Sequence, residues 1–554
     1  MAMELAVENI KTEVMDHHGI VAGACRELSI MERINSRIGN QDPRRKVQPG
    51  VAVVAMIING LGFSNRRLYL TPQFFESKPV KELLGVDVTA QQLDDHALGK
   101  CLDEIVEYGP TKLFGEIAFE IATERGLFGP KAHMDSTSFS LTGEYETNEQ
   151  TSIEVKYGYS KDHHPDLKQV MLSLVCTGPA DLPIWMEPQN GNSSDKESFH
   201  ETIKSIRNFQ AELKGQQEFL WVADSAFYVK EKLKNYSDLK WISRVPESIK
   251  ESKQLVQQRE EYFSWINSIE GYRYTETEST YGNVKQRWLL VFSQQAYERE
   301  SQTFKKNLES KLKALEKECW HASNQIYTCE SDARKTIKKL SIKQTLFKVT
   351  GQVIAVEKYD GVGRPAINTK KVTSGYKIEF KIENNEEEIA NQLRTKGRFI
   401  LATNDLDKET LPIELILKNY KEQQSVERGF RFLKDPWFMV DSFFVKKVSR
   451  IMALMMVMAL CLFVYNFIQY KLRCALNDKD ETVPNQKGKD IQNPTTRWVF
   501  QLFEGISLVK FFDSSGACIK MMVSNLNHVR QKIIRLLGAV TSQIYGLDIQ
   551  QGVT

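Results

Sequence analysis

Apolar and polar positions along this chain change period several times, and each change marks a different kind of structure. Up to about residue 125 the apolar residues recur three and four apart, as in VAVVAMIINGLGF and LDDHALGKCLDEIVEYG, which predicts helices. In the second segment Leu93, Leu98, Leu102 and Ile105 share one side, with acids and Lys100 off it. This region reads either as a compact helical DNA-binding module or as an all-helical structural domain. From about residue 130 the pattern shortens. HMDSTSFSLTGEY, SIEVKYGYS, LKQVMLSLVCTG and LPIWMEPQNG are rich in β-branched and aromatic residues and are separated by Gly, Pro and Asp, which predicts strands. A helical stretch over 198–213 follows, and then an apolar run over 219–223 that stops at Asp224. Strands, a helix and a further buried strand predict an α/β sheet.

Residues 246–400 interrupt that pattern. QAYERESQTFKKNLESKLKALEKECWHASNQI is a charged helix, a second charged helix runs to about residue 346, and FKVTGQVIAVEKYDG and YKIEFKIE read as strands. This block reads as an inserted domain. After Pro412 another helix begins, followed by IMALMMVMALCLFVY, an unbroken apolar run over 451–465. As a helix this run spans about 22 Å, short of the roughly 30 Å hydrocarbon core of a bilayer, so a buried core helix over 451–470 is expected and no membrane partner. NDKDETVPNQKGKDIQNP is a polar linker, and the tail from about 495 is mostly helical. The expected organisation is therefore a helical region at 1–125, an α/β core at 126–245 that resumes at 401–475, an insertion at 246–400, and a linker with a helical C-terminal region at 476–554.

Composition narrows the partners. A hydrophobic share of 41% and a charged share of 26% are those of a soluble globular protein. The net charge of +3 is small for 554 residues, so a nucleic-acid partner has to be sought in local patches. The eight cysteines include no Cys-x-x-Cys pair, which argues against a disulfide framework or a zinc ribbon and fits a reducing cytoplasm. The opening MAMELAVENIKTEV has no long apolar core, so no signal peptide is expected.

Candidate chemistry gathers at three acids. Asp135 in HMDSTSFS and Asp224 in WVADSAF each stand where an apolar strand meets polar residues, the position where active sites of open α/β sheets collect. Either aspartate taken alone reads more readily as a turn former or helix cap. The third acid lies in YKEQQSVERGFRFLKDP, over 420–436. On one continuous helix Tyr420, Gln423, Glu427 and Lys434 fall within an arc of roughly 60°. Around Glu427, basic residues (Arg428, Arg431, Lys434, Lys446, Lys447, Arg450) outnumber acids (Asp435, Asp441), with Phe430, Phe432, Trp437 and Phe438 between them. Lysine and arginine neutralise phosphates. The aromatics are expected to pack in the core, and Tyr420 and Lys434 to face the functional side. Two aspartates and a glutamate supply the hard oxygen ligands that suit Mg²⁺ or Mn²⁺. Two other segments carry less. KDHHPD at 161–166 brings Asp162, His163, His164 and Asp166 together but reads as a polar loop, and the glycines at 361–365 read as a turn.

Tyr420, Glu427 and Lys434 fit the signature Tyr-x2-Arg-x3-Glu-x6-Lys, and the chain thereby resembles the insertion-sequence four family of DDE transposases. VERGFRFLKDP, YSKDHHPDLKQV, LATNDLD and GNSSD are similar to its IS sixteen-thirty-four branch. The resemblance implies a ribonuclease-H-like core, with two acids on strands, the glutamate on a late helix, and an insertion before it. It implies that Asp135, Asp224 and Glu427 bind two Mg²⁺ ions (or Mn²⁺), that water cuts the phosphodiester at each transposon end, and that the freed 3′-OH attacks target DNA. Double-stranded DNA, as terminal inverted repeats and target, is the implied partner. A homodimer joining two ends and a prokaryotic, nucleoid-associated location are implied with it. Gln423 departs from the signature arginine. Arg428 and Arg431 are the candidates to replace it in holding DNA beside Tyr420 and Lys434, and Arg431 is the better placed. A nuclease of the same fold that never joins strands, and an inactive DNA-binding relative, are the alternatives.

Overall fold

The computed structural model describes residues 9–39, 45–63, 68–145, 153–161, 164–213, 217–269, 271–360, 370–435 and 447–547. Asp162, His163, the 361–365 turn, Trp437, Phe438, Asp441 and Lys446 lie outside the described residues. Two compact units are present: Met1–Ser243 with Leu415–Thr554, and Arg244–Glu414.

The first unit is built around the helix Val448–Asp478, against which the helices His18–Glu27, Pro49–Gly60, Asp95–Tyr108 and Pro110–Glu124 pack. Because neighbours cover it on several sides, this helix is apolar around its whole circumference rather than along one stripe. It is long and apolar enough to cross a membrane by length and composition, yet 89% of its most apolar stretch is buried inside the protein. Each large apolar side chain it buries stabilises the fold by about 1.5–3 kcal/mol. Polar ties fix its register. Arg450 Nε and Nη2 each donate to Asp103 at 2.7 Å, and Lys471 pairs with Glu27.

Two expectations need correcting in this unit. The N- and C-terminal regions are not purely helical, because β1 (Asn9–Val14) pairs antiparallel with Ser507–Phe512, which pairs in turn with Cys518–Ser524. The six residues of β1 find their partner at the far end of the chain, so no local pattern announces them. Of SIEVKYGYS, expected as a strand, Ser152 lies outside the described residues and 153–160 form an isolated bridge between Lys156 and Gln169. There the backbone at Gly158 approaches Gly191 so closely that a Cβ on Gly158 would lie 2.2 Å from the Gly191 carbonyl oxygen.

The sheet of the first unit runs, in spatial order, Leu182–Gln189, Lys168–Thr177, Lys131–Leu141, Leu220–Ala223 and Lys240–Arg244. β2 (Lys131–Leu141), β3 (Lys168–Thr177) and β4 (Leu182–Gln189) are antiparallel, whereas β5 (Leu220–Ala223) and β6 (Lys240–Arg244) run parallel to β2. The nearly unbroken burial of β3 reflects cover on both faces. The helix Asp195–Glu212 leads from β4 to β5.

The second unit has its own antiparallel strands, β7 (Ile266–Asn267), β8 (Tyr272–Tyr281) and β9 (Val284–Ser293). A long ribbon of β10 (Phe347–Tyr359) and β11 (Lys371–Asn384) follows, and β12 (Arg398–Thr403) pairs with β9. The charged helices Gln294–Asn324 and Glu330–Ile342 pack on the ribbon over a small core that includes Leu315, Phe347 and Val349.

Candidate active site

β2 and β5 lie side by side in parallel, with Met134 opposite Ala223. Asp135 and Asp224 are each the next residue, so they sit level on adjacent strands, whose usual spacing is about 4.8 Å. β5 ends at Ala223 while β2 continues, so Asp224 caps the strand. Its Oδ1 accepts from the Ala226 N–H at 2.8 Å, and its carbonyl accepts from Ser243 Oγ at 2.8 Å. The turn fixes Asp224 at the mouth of the sheet. Burial is the main force on the Asp135 carboxyl. It outweighs the lowering by Lys161, the charges of Asp224 and Asp195 add to it, and the carboxyl is pushed up to about 7.

Two residues that the sequence did not single out complete this cluster. Lys161 Nζ lies 3.9 Å from Asp135 Oδ1 and 3.1 Å from Asp195 Oδ2, and it donates to the Ser136 carbonyl at 2.7 Å. Ser136 Oγ donates to Asp195 Oδ1 at 2.6 Å. Asp195 opens a helix after two serines and so reads as an ordinary first-turn acid favoured by the helix dipole. Lys161 belongs to the KDHHPD loop, whose role the sequence does not disclose. The one clue was the GNSSD stretch itself, which the resemblance marked. Both residues are placed by Gln169, 1% exposed, whose Nε2 donates to Tyr159 O at 3.2 Å and to Gly191 O at 2.7 Å. A single buried amide thus ties the segment carrying Lys161 to the loop that leads into Asp195.

The stretch 420–434 is not the single helix that its spacing suggested. One helix ends at Glu422 and another runs over Gln424–Leu433, with Gln423 at the joint. The Gln423 side chain is 7% exposed, so it has little access to a phosphate in this arrangement. Within the second helix the pattern is plainly two-faced. Val426, Phe430 and Leu433 are buried, whereas Glu427, Arg428 and Arg431 are exposed. Phe430 does pack in the core, and Phe432 stacks near Tyr465 with ring centroids 4.4 Å apart. Arg428 Nη2 stands 3.9 Å from Asp181, while Tyr420 and Lys434 are half-buried.

Two contacts lay this helix pair along β2. Lys131, at the start of the strand, donates to Asn419 Oδ1 at 3.1 Å and pairs with Glu422. Near its end, Phe139 has Lys434 Nζ 5.8 Å from its ring centroid. Lys131, Asp135 and Phe139 alternate onto one face of the strand. Asp135 is midway between the two contacts, and Glu427 lies between Glu422 and Lys434 on the helices opposite. The carboxylates do not, however, converge. Among the described residues no three His, Cys, Asp or Glu side chains come close enough to hold one metal ion.

Comparison with known proteins decides the family. A transposase DDE domain model matches residues 129–464, and a domain of unknown function, DUF4277, matches residues 10–119. The chain belongs to the transposase DDE domain family. Among curated proteins none matches the sequence. One solved chain, from a cryo-EM structure of the piggyBac transposase synaptic complex with hairpin DNA, is 9% identical over 90% of this chain and 82% of that one. Its TM-score of 0.35 is too low to carry an argument.

DDE transposases generally use divalent metal ions. Asp135 and Asp224 offer carboxylate oxygens of the kind such an ion takes, with the Lys161 ammonium and the Ser136 hydroxyl beside Asp135 and Asp195. Asp135, whose carboxyl is held near neutrality by burial and by neighbouring acids, is a place where positive charge is favoured. In this transposase the Lys161 ammonium supplies some of that charge.

Proposed function

We propose that this transposase is a prokaryotic, nucleoid-associated enzyme of the insertion-sequence four family, close to the IS sixteen-thirty-four branch. In this proposal it cuts the ends of its own element and joins them to target DNA. The observation that carries this reading is the level placement of Asp135 and Asp224 on adjacent parallel strands inside the matched DDE domain. An acid inside β2, a second just past the end of the neighbouring β5 and a glutamate on a late helix support a ribonuclease-H-like core. The core runs over 126–245 and 401–475, with the insertion at 246–400 between.

Asp135, Asp224 and Glu427 are the proposed ligands of two Mg²⁺ or Mn²⁺ ions. Such ions, when bound, supply an activated water and stabilise the leaving oxygen of a phosphodiester. Arg431 and Lys434 hold the DNA backbone beside the acids, with Tyr420 and Arg428 flanking. Water adds to the scissile phosphorus and the 3′ oxygen leaves, giving a 3′-OH and a 5′-phosphate. The 3′-OH then displaces a 3′ oxygen from a target phosphate, so one phosphodiester forms as another breaks. The helical region at 1–125 and the insertion bind terminal repeats or a second protomer, since two ends must meet.

The test is to incubate the purified protein with Mg²⁺ or Mn²⁺ and duplexes copied from the DNA flanking its gene. Joined products support the proposal. Cleavage without joining points to a nuclease of the same fold, and binding without either points to an inactive relative.

A further inference from the structure

We infer that Asp195 is a positioning residue for Lys161: with Ser136 it holds the lysine ammonium just off Asp135, so that the ammonium offsets the charge of that carboxylate yet leaves its oxygens to an incoming divalent cation. The inference rests on the metal-ligand role proposed above for Asp135.

The ammonium is shared unevenly. Lys161 Nζ donates to the Ser136 carbonyl at 2.7 Å and to Ser136 Oγ at 3.1 Å, and it pairs with Asp195 Oδ2 at 3.1 Å. Asp135 Oδ1 stands at 3.9 Å, past hydrogen-bond distance, and feels the lysine through its charge alone. That oxygen accepts instead from the Ser136 N–H at 2.7 Å. The Ser136 hydroxyl completes the arrangement, accepting from Lys161 while it donates to Asp195 Oδ1 at 2.6 Å. Both oxygens of Asp195 are thereby engaged, one by Ser136 and one by Lys161, which suits it to hold a side chain rather than an ion. The backbone limits where the lysine can start from, because Lys161 N–H donates to Ser138 Oγ at 3.1 Å, on the strand that carries Asp135 and Ser136.

The distances decide what this does. A lysine bonded directly to Asp135 would compete with a divalent cation for the same oxygens. A lysine far away would leave a poorly hydrated carboxylate, 17% exposed, with nothing to offset the like charges beside it. Lys161 lies between these extremes. Positive charge arriving at Asp135 repels the ammonium, and Asp195 is where the ammonium stays. Among the described residues the ion-pair partners of Lys161 are Asp135 and Asp195. Without the charge on Asp195, the carboxylate left to Lys161 is Asp135, and the lysine becomes a competitor.

The test is the Mn²⁺ affinity of the full chain without DNA, measured by isothermal titration calorimetry. Asp195→Asn is expected to bind Mn²⁺ about tenfold more weakly than the wild type, and Lys161→Met about tenfold more tightly. In the Lys161→Met background, adding Asp195→Asn should cost about threefold or less, because no ammonium remains to be held off. Asp195→Glu keeps the charge and should recover most of the affinity. Should Asp195→Asn not fold, Ser136→Ala removes one tether instead. It should weaken Mn²⁺ about threefold while Lys161 is present and have no effect in Lys161→Met. An Asp195→Asn loss equally large in both backgrounds would mean that its charge acts on the ion directly, and would overturn the inference, as would no loss at all. If Asp135→Asn binds Mn²⁺ as the wild type does, the metal-ligand role proposed above fails and this inference falls with it.

Discussion

Asp135 and Asp224 each stand one residue beyond a directly paired couple, Met134 and Ala223, so two parallel strands deliver two carboxylates to the same level of the sheet. Parallel pairing makes this possible. In an antiparallel pair the residues following a matched couple would move apart. Asp135→Asn and Asp224→Asn should each reduce strand cleavage by at least about a thousandfold, while DNA binding by gel shift stays near wild type. Mn²⁺ should raise the melting temperature of the wild type, and the rise should shrink in both variants.

Lys161 supplies positive charge to Asp135 and Asp195. Lys161→Met leaves two neighbouring acids without it, so the metal-free variant should melt below the wild type. Added Mn²⁺ should close most of the gap. A variant that melts as the wild type does under both conditions contradicts this role.

Gly429 lies where the Glu427 helix meets the central helix, and a Cβ there would come 3.1 Å from Leu462 Cδ2. That neighbour is the end of a flexible side chain, and alanine is the better helix former, so Gly429→Ala should be close to neutral in thermal melting. Gly429→Leu overfills the contact, should destabilise by about 1–3 kcal/mol, and should lower cleavage by displacing Glu427.

Four histidines of the first unit, His17, His18, His133 and His200, are buried and held neutral, their affinity for protons reduced chiefly by desolvation. His17, His133 and His200 are each lowered from 6.5 to about 4. Their folded-state values lie below the unfolded one, so the unfolded chain binds more protons as pH falls through 6.5. Stability is therefore full above about pH 6.5 and is lost progressively toward pH 4, by about 3 kcal/mol for His17 alone. Melting followed from about pH 7.5 to about pH 4.5 should show a steep decline. His17→Phe, whose ring would face Phe500 as His17 now does at 4.2 Å, should lessen the slope.

How far the chain discloses this arrangement differs from element to element. The place of Asp224 was legible because it stands where an apolar run stops, and β5 does end just before it, whereas Asp135, expected where a strand gives way to polar residues, lies inside β2, which continues through STSFS to Leu141. The buried helix Val448–Asp478 was legible for a similar reason, since its unbroken apolar run was too short to favour a membrane. The joint at Gln423 was not, because glutamine neither breaks a helix nor signals a turn, and tertiary packing decides where the axis bends. β1 and its distant partners escaped because pairing across the whole chain leaves no local period. Asp195 and Lys161 escaped because a first-turn acid and a loop lysine are ordinary until the fold brings them together.

Lys434 lies at the end of the exposed Glu427 face. Lys434→Ala should weaken DNA binding at low salt and reduce the slope of log affinity against log salt by about one unit. An unchanged slope removes Lys434 from the interface.

The assignment of Glu427 tests the whole account most directly, because among the described residues it does not gather with the two aspartates into a group that could hold a metal ion. The measurement is Mn²⁺-dependent cleavage and joining of the element's own ends by Glu427→Gln, which keeps size and polarity but loses the charge. Loss of both products, with DNA binding and melting unchanged, is the predicted result. Cleavage and joining at near wild-type rates would contradict it and would remove Glu427 from the catalytic trio.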